Sequence, residues 1–198
     1  MANEVAHAQA KGTGVMSSVR WIREAYGPEV LKEVHRSLSP EVAEIVKNPL
    51  AVQWYPVSVL DQLWLGLRTR VHAGNDPAFE QAMIEQGKFI AEDNLSTVFR
   101  VLLAFVGSPE QMFKTLPRLW AQYFDGIDVA NDESAIAEKR GSTRVHGLGN
   151  LHYIAPVVAG WTELGFKKVG AKHVRVREES YQEGKVTADP LVFHVAWS

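Results

Sequence analysis

LSTVFRVLLAFVGSPEQMFKTLPRLWAQYF, residues 95–124, is the most apolar stretch of the chain. From Leu95 to Val106 only Ser96, Thr97 and Arg100 are polar. Leu95, Val98, Phe99, Leu102 and Leu103 keep helical spacing, while Val101, Ala104, Phe105 and Val106 fill the other side. The spacing therefore predicts a helix buried on most faces, too short to cross a bilayer. Asp93 suits its N-cap, and Gly107 the left-handed position that ends it. A second start follows at once, with Ser108 as cap, Pro109 at the first helical position and Gln111 completing a capping box. Its apolar face is Met112, Phe113, Leu116, Leu119, Trp120, Tyr123 and Phe124. Pro117 predicts a kink there, or a fresh start after Thr115. The residues of this stretch suit a core, and none of them suits chemistry.

Toward the N-terminus the pattern stays helical. Val15, Met16, Val19, Ile22 and Tyr26 form one stripe, which Gly27-Pro28 stops. Val30, Leu31, Val34 and Leu38 form a second. Ser39-Pro40-Glu41 repeats the cap-then-proline signal ahead of Val42, Ile45 and Val46. Asn48-Pro49 opens a loop that carries Trp54-Tyr55-Pro56. Leu60, Leu63, Trp64 and Leu67 then face one way on a further helix. Gly74-Asn75-Asp76-Pro77 is a turn, and Phe79, Met83, Ile84 and Phe89-Ile90 lead into the central pair. Residues 1–12 are small and polar and read as disordered.

Toward the C-terminus the period changes. Asp125-Gly126 is a turn, Ile127-Asp128-Val129 a short strand, and 131–143 a polar loop or exposed hairpin. Val145–Leu148 reads as a strand. Leu151–Phe166 reads as a helix despite Pro156 and Gly160. In Lys172–Glu178, Val174 and Val176 alternate with His173, Arg175 and Arg177; Leu191–Trp197 places Leu191, Phe193, Val195 and Trp197 on one face. Helices first and strands later predict an α+β fold, an N-terminal helical bundle followed by a small antiparallel sheet crossed by one helix. The domain reading is a disordered tail over 1–13 and one α+β domain over 14–198, helical to 124 and sheet-containing from 125.

The chain has 198 residues, 46% hydrophobic and 22% charged, so it can bury a substantial core. A net charge of −2 argues against a dedicated nucleic-acid binder. The absence of cysteine excludes disulfides, thiol catalysis and thiolate metal sites and fits a reducing cytoplasm. No segment reads as a signal peptide or a membrane span.

Signatures of catalysis are missing. His146 and His152 flank 147–151, and His173 and His194 fall on the strands, but zinc-binding spacings are absent. Asp125, Asp128, Asp132 and Glu133 lack the spacing of a calcium loop. There is no G-x-S-x-G, phosphate loop or G-x-G-x-x-G after a strand. Lys167, Lys168, Lys172, His173, Arg175 and Arg177 read as the solvated face of a sheet, with an anionic ligand, an acidic partner or nucleic acid as the sharper alternative. Trp54 and Tyr55 either plug the core or wall a pocket.

Tyr26-Gly27-Pro28-Glu29-Val30-Leu31, Trp54-Tyr55-Pro56, Gly107-Ser108-Pro109 with Leu116-Pro117, the Gly160-to-Gly170 helix end and the final Val195-Ala196-Trp197 together resemble an uncharacterised paralogous family of myxobacterial proteins of about this length. The resemblance covers most of the chain from Gly14 onward. More distantly the chain is similar to the superfamily that joins haem nitric-oxide-binding domains, four-vinyl-reductase-type small-molecule-binding domains and TRAPP trafficking subunits. That superfamily implies helices followed by a small antiparallel sheet with a helix across it. In its haem sensors a central-helix histidine ligates iron and a Tyr-x-Ser-x-Arg motif holds the propionates. Residues 95–124 contain no histidine, and Arg140-Gly141-Ser142-Thr143-Arg144 lacks the tyrosine. No cofactor is therefore expected.

The resulting expectation is a non-catalytic cytoplasmic sensor or adaptor domain. It would bind a small apolar ligand between helices and sheet, with Trp54, Tyr55, Trp120, Tyr123 and Trp161 as lining and His152 as polar handle. The alternative is a protein–protein assembly module acting as a homodimer. A haem-based gas sensor and a hydrolase using His146 or His152 have less in their favour. Neither nucleic acid nor membrane insertion is expected.

Overall fold

The structure, a computed structural model, describes residues 8–73, 75–95, 106–149 and 151–198. The helix read over 95–106 thus lies outside the described residues except at its two ends. Among the helices that precede it, the second and third start where proline and cap chemistry place them. α1 (Gly12–Tyr26) ends at Gly27, and α2 (Pro28–Ser37) begins with proline in its first turn. α3 (Pro40–Lys47) is capped by Ser39, whose Oγ accepts from the Val42 N–H at 3.4 Å. α4 (Ser58–Val71) and α5 (Asp76–Leu95) follow.

Asp93 corrects one expectation. It lies inside α5 rather than capping a later helix. Its carboxylate instead accepts from Ser17 Oγ at 2.8 Å and pairs with Arg20, both on α1. A cap signal needs a helix to begin there, and α5 runs through it.

α6 (Pro109–Tyr123) begins as read. Ser108 Oγ accepts from the Gln111 N–H at 3.3 Å, and Gln111 Oε1 accepts from the Gly107 N–H at 2.7 Å. Pro117 does not break the helix. It does remove the N–H that would bond the carbonyl of Phe113, and that carbonyl accepts instead from Asn131 Nδ2 at 2.7 Å. Asn131 Oδ1 in turn accepts from Thr143 Oγ1 at 2.9 Å, so the gap left by proline becomes a tie between helix and sheet.

Three short strands form one antiparallel sheet, with β1 (Gln9–Lys11) between β2 (Trp54–Pro56) and β3 (Phe124–Asp125). This corrects the reading of residues 1–13 as a disordered tail for its described part, since residues 9–11 are paired and α1 begins at Gly12. It also makes Trp54-Tyr55-Pro56 a strand rather than a loop.

The main sheet has the order β4-β5-β9-β6, all antiparallel. β4 (Asp128–Asp132) and β5 (Arg140–His146) form the exposed hairpin around a 3₁₀ turn at Ile136–Glu138. α7 (Ile154–Lys168) links β5 to β6 (Val174–Glu179). A small hairpin of β7 (Tyr181–Gln182) and β8 (Lys185–Val186) precedes β9 (Leu191–Trp197). Leu191, Phe193, Val195 and Trp197 are all buried, as their alternation requires. Lys172, His173, Arg175 and Arg177 are exposed, the last two on edge strand β6, as a solvated face should be.

Two apolar clusters make the core. One gathers residues of α1 to α5 with those of α7, β5 and β9. The other joins Met112, Phe113, Leu116 and Leu119 of α6 to Phe166, Val195 and Trp197. Trp197 stacks on Phe113 with centroids 5.7 Å apart, and its Nε1 donates to Glu110 Oε1 at 3.0 Å. Trp161 of α7 packs against both clusters.

Candidate functional site

Where the clusters meet, a cavity of about 80 Å³ opens among α1, α4, α5, α6 and α7. α6 presents Leu116, Leu119, Trp120 and Tyr123 to it; α7 presents Ile154, Val157, Val158, Trp161 and Thr162. Gly14 and Ser18 of α1, Leu60 and Trp64 of α4 and Ile90 of α5 complete the helical wall, with Ala10 and Phe124 from the small sheet. No side chain of the described wall is ionisable near neutral pH, and its surface is almost wholly carbon. The helical stripes explain the composition: each helix turns its apolar face inward, and the faces do not fully interdigitate. At Gly14 a Cβ would meet nothing within 4 Å.

Of the aromatic residues proposed from sequence, the structure brings Trp120, Tyr123 and Trp161 together in this wall. Tyr123 and Trp161 meet edge to face with centroids 6.3 Å apart. Trp54, Tyr55 and His152 lie elsewhere. Trp54 sits on β2 beneath the Lys11 ammonium, 5.4 Å from its ring. Tyr55 is buried and its hydroxyl accepts from the Leu50 N–H at 2.9 Å, bracing the loop. His152 is bound to α4: Asp61 Oδ1 accepts from its backbone N–H at 2.8 Å and lies 2.9 Å from its Nδ1. That pair orients the entry to α7.

Trp64 and Ser18 belong to the wall but not to the sequence reading. Trp64 sits within a helical stripe whose period announces only burial, and Ser18 is a polar residue outside the stripe of its helix, so no local signal marks either. Ser18 is fully buried and Trp64 is 1% exposed. Among the described residues, Ser18 Oγ, Trp64 Nε1 and Trp161 Nε1 find no hydrogen-bond partner.

A ladder of rings lies apart from the cavity wall. Trp21, Tyr26, His72, Phe79 and Tyr153 follow one another at centroid separations of 5.4, 5.8, 5.4 and 4.6 Å. The Tyr26 hydroxyl lies 3.0 Å from His72 Nε2, and burial lowers the pKa of His72 below its ordinary 6.5. In the pH range between that lowered value and 6.5 the unfolded chain takes up a proton that the folded chain refuses. The stability contributed by neutral His72 is therefore present above pH 6.5 and is lost as pH falls through this range. Urea midpoints at pH 7.5 and 5.5 are expected to differ more in the wild type than in His72→Gln; equal differences would refute the assignment.

Among the described residues no group of three or more His, Asp or Glu is placed to hold a metal ion. His146 lies 3.4 Å from Asp189 and His194 3.0 Å from Glu179, each as a separate pair.

No family model and no curated protein matches the sequence. Solved structures do. A variant of the Fe(II) unliganded H-NOX protein from K. algicida superimposes with a TM-score of 0.73 at 13% identity, over 95% of this chain and 96% of that one. The chain has the H-NOX fold. The Fe(II) unliganded H-NOX protein from K. algicida itself gives a TM-score of 0.71 at 12% identity, over 95% and 96% of the two chains. A mutant of T. tengcongensis H-NOX gives 0.60 at 13% identity, over 95% and 97%. At such identities it is the fold that is shared.

Haem, which the H-NOX fold implies, does not fit the residues of this cavity. An axial ligand would have to come from the wall, and the described wall holds no imidazole, thiol or thioether; its one phenol, Tyr123, packs edge to face on Trp161. Residues 96–105, outside the described set, contain no histidine, cysteine or methionine either. The propionates would need cations, and the described wall has none. Arg140 and Arg144, in the nearest counterpart of the propionate motif, are exposed on β5.

Proposed function

We propose that this chain is a non-catalytic sensor or adaptor domain that holds a small apolar ligand in the cavity beneath Trp120, Tyr123 and Trp161. The observation that carries the reading is an almost wholly apolar cavity, lined by five helices of an H-NOX fold, with no imidazole, thiol or thioether in its described wall. Sites for small molecules are concave, mostly apolar and furnished with a few polar groups, and this one has that character. A cytoplasmic protein is in keeping with the lack of cysteine, and no helix among the described residues is long and apolar enough to cross a membrane. An enzymatic reading has little support: Asp61 engages both the backbone and the ring of His152, and no hydroxyl nucleophile is bonded to that ring.

Tryptophan fluorescence titrations with small cyclic hydrocarbons and ketones test the proposal, because three tryptophans border the cavity. Saturable quenching is expected in the wild type. Gly14→Leu, which fills open space while favouring the helix, is expected to abolish it in a folded protein. Quenching that persists in this variant would refute the site.

Assembly as a homodimer is the second reading. Met16, Leu50 and Val52 are 43, 53 and 82% exposed, and Met16 shares a groove with Pro49 and Ala51. Light scattering of the wild type and of Val52→Glu decides it: a dimer lost in the variant supports this surface, and a wild-type monomer at all concentrations rejects it.

A further inference from the structure

We propose that the edge of β6 is a docking site for an extended acidic segment of a partner protein, which joins the main sheet as an added strand. β6 ends the order β4-β5-β9-β6, and among the described residues it pairs with β9 alone. The direction of its remaining backbone groups follows from β9. The Ser198 N–H donates to the His173 carbonyl at 3.1 Å, whereas the Trp197 N–H turns the other way, to the Lys139 carbonyl at 3.0 Å. Backbone groups alternate in this way along a strand. Arg175 and Arg177, opposite Ala196 and His194, therefore turn their N–H and C=O to β9, and those of Val174 and Val176 face away from the sheet.

The side chains choose the occupant. Arg175 and Arg177 are exposed on the outer face of the sheet, and Val174 and Val176 are half-buried on the inner one. Lys172 and His173 extend the basic run ahead of the strand. Lys168 nearby is paired with Glu92, and Glu179 with His194; among the described residues no carboxylate pairs with Lys172, Arg175 or Arg177. A second copy of this chain is disfavoured, because two β6 edges paired antiparallel about their centres set arginine against arginine. An acidic strand reverses the sign. It places carboxylates opposite Arg175 and Arg177, and an apolar side chain between them on the inner face beside Val176. The segment recognised thus alternates acidic and apolar residues.

Fluorescence anisotropy of the full chain with a labelled peptide alternating glutamate and valine tests this. The same peptide with its valines N-methylated keeps the charges but cannot complete the ladder, and it is expected to bind about tenfold more weakly, as for two lost hydrogen bonds. The Val174 and Val176 amide protons are expected to exchange more slowly when the unmodified peptide is bound. Arg175→Glu combined with Arg177→Glu is expected to weaken binding by about tenfold or more with an unchanged circular dichroism spectrum. Should that variant fail to fold, the N-methylated peptide and the exchange of the two amides in the wild type carry the test. Absence of binding, or binding that a folded arginine variant leaves unchanged, overturns the site. Equal binding of the N-methylated peptide or of single-stranded oligothymidylate overturns it as well, since charge alone would then account for the affinity.

Discussion

Gly160→Ala is expected to destabilise the protein by about 3 kcal/mol or more, and to lower Tm by roughly 6–12 °C. The reason is the crossing of α5 and α7. A Cβ built on Gly160 would lie 1.9 Å from the carbonyl oxygen of Ile84, and one built on Gly87 would lie 2.0 Å from that of Val157. Each helix thus meets the backbone of the other through a glycine, at two points one turn apart. Backbone cannot rotate aside as a flexible side chain can, so a single methyl group must push the helices apart along their whole contact. Gly87→Ala should behave alike. Gly14→Ala is the internal control: its Cβ meets nothing, and the better helix former should raise stability by about 0.5–1 kcal/mol. Urea midpoints decide the matter, and a Gly160→Ala protein as stable as the wild type would show that the crossing is looser than described. The crossing also bears on function, because Ile90, Val157 and Trp161 reach the cavity from these two helices.

Asn131→Ala should cost about 2 kcal/mol, and the loss should depend on Pro117. Removing the amide strands the Phe113 carbonyl, which proline has already deprived of its helical donor, and takes the partner from Thr143, 1% exposed. Pro117→Ala restores an N–H at the fourth residue after Phe113. In that background Asn131→Ala is expected to cost less than about 1 kcal/mol. The difference is a coupling energy, measurable as a double-mutant cycle in urea. Equal costs in the two backgrounds would mean that the asparagine stabilises the hairpin alone and does nothing for the interrupted helix.

Both predictions concern partnerships that sequence inspection does not supply. Pro117 was visible as an interruption, but its remedy lies on a strand of another element. Gly160 was visible as an unfavourable residue within a helical pattern, and only the approach of α5 explains its presence. β1 was missed for a related reason. Gln9-Ala10-Lys11 has no period and no strand-favouring residue, and it becomes a strand by pairing with Trp54–Pro56 and Phe124–Asp125, both far along the chain. The reading of β5 began at Val145, whereas the strand starts at Arg140, because Gly141 and the polar residues beside it conceal the pairing with β9.

Local chemistry by itself determined the α+β class, the breaks at Gly27-Pro28, Ser39-Pro40 and Ser108-Pro109, and the alternation of β9. Each depends on spacing or on a proline or cap a few residues away. It also determined that residues 95–124 carry no histidine for haem iron. The tertiary structure alone decided which aromatic residues share a cavity. Trp120, Tyr123 and Trp161 converge there, Trp54 and Tyr55 are held by the small sheet, and His152 is held by Asp61. It also brought Ser18, Trp64 and Trp161 to one wall, with their polar atoms unpaired among the described residues. Periodicity assigns a side chain to the buried face of its own helix. Which buried faces meet, and whether they meet without a gap, depends on contacts between residues remote in sequence, and these determine the character of the site.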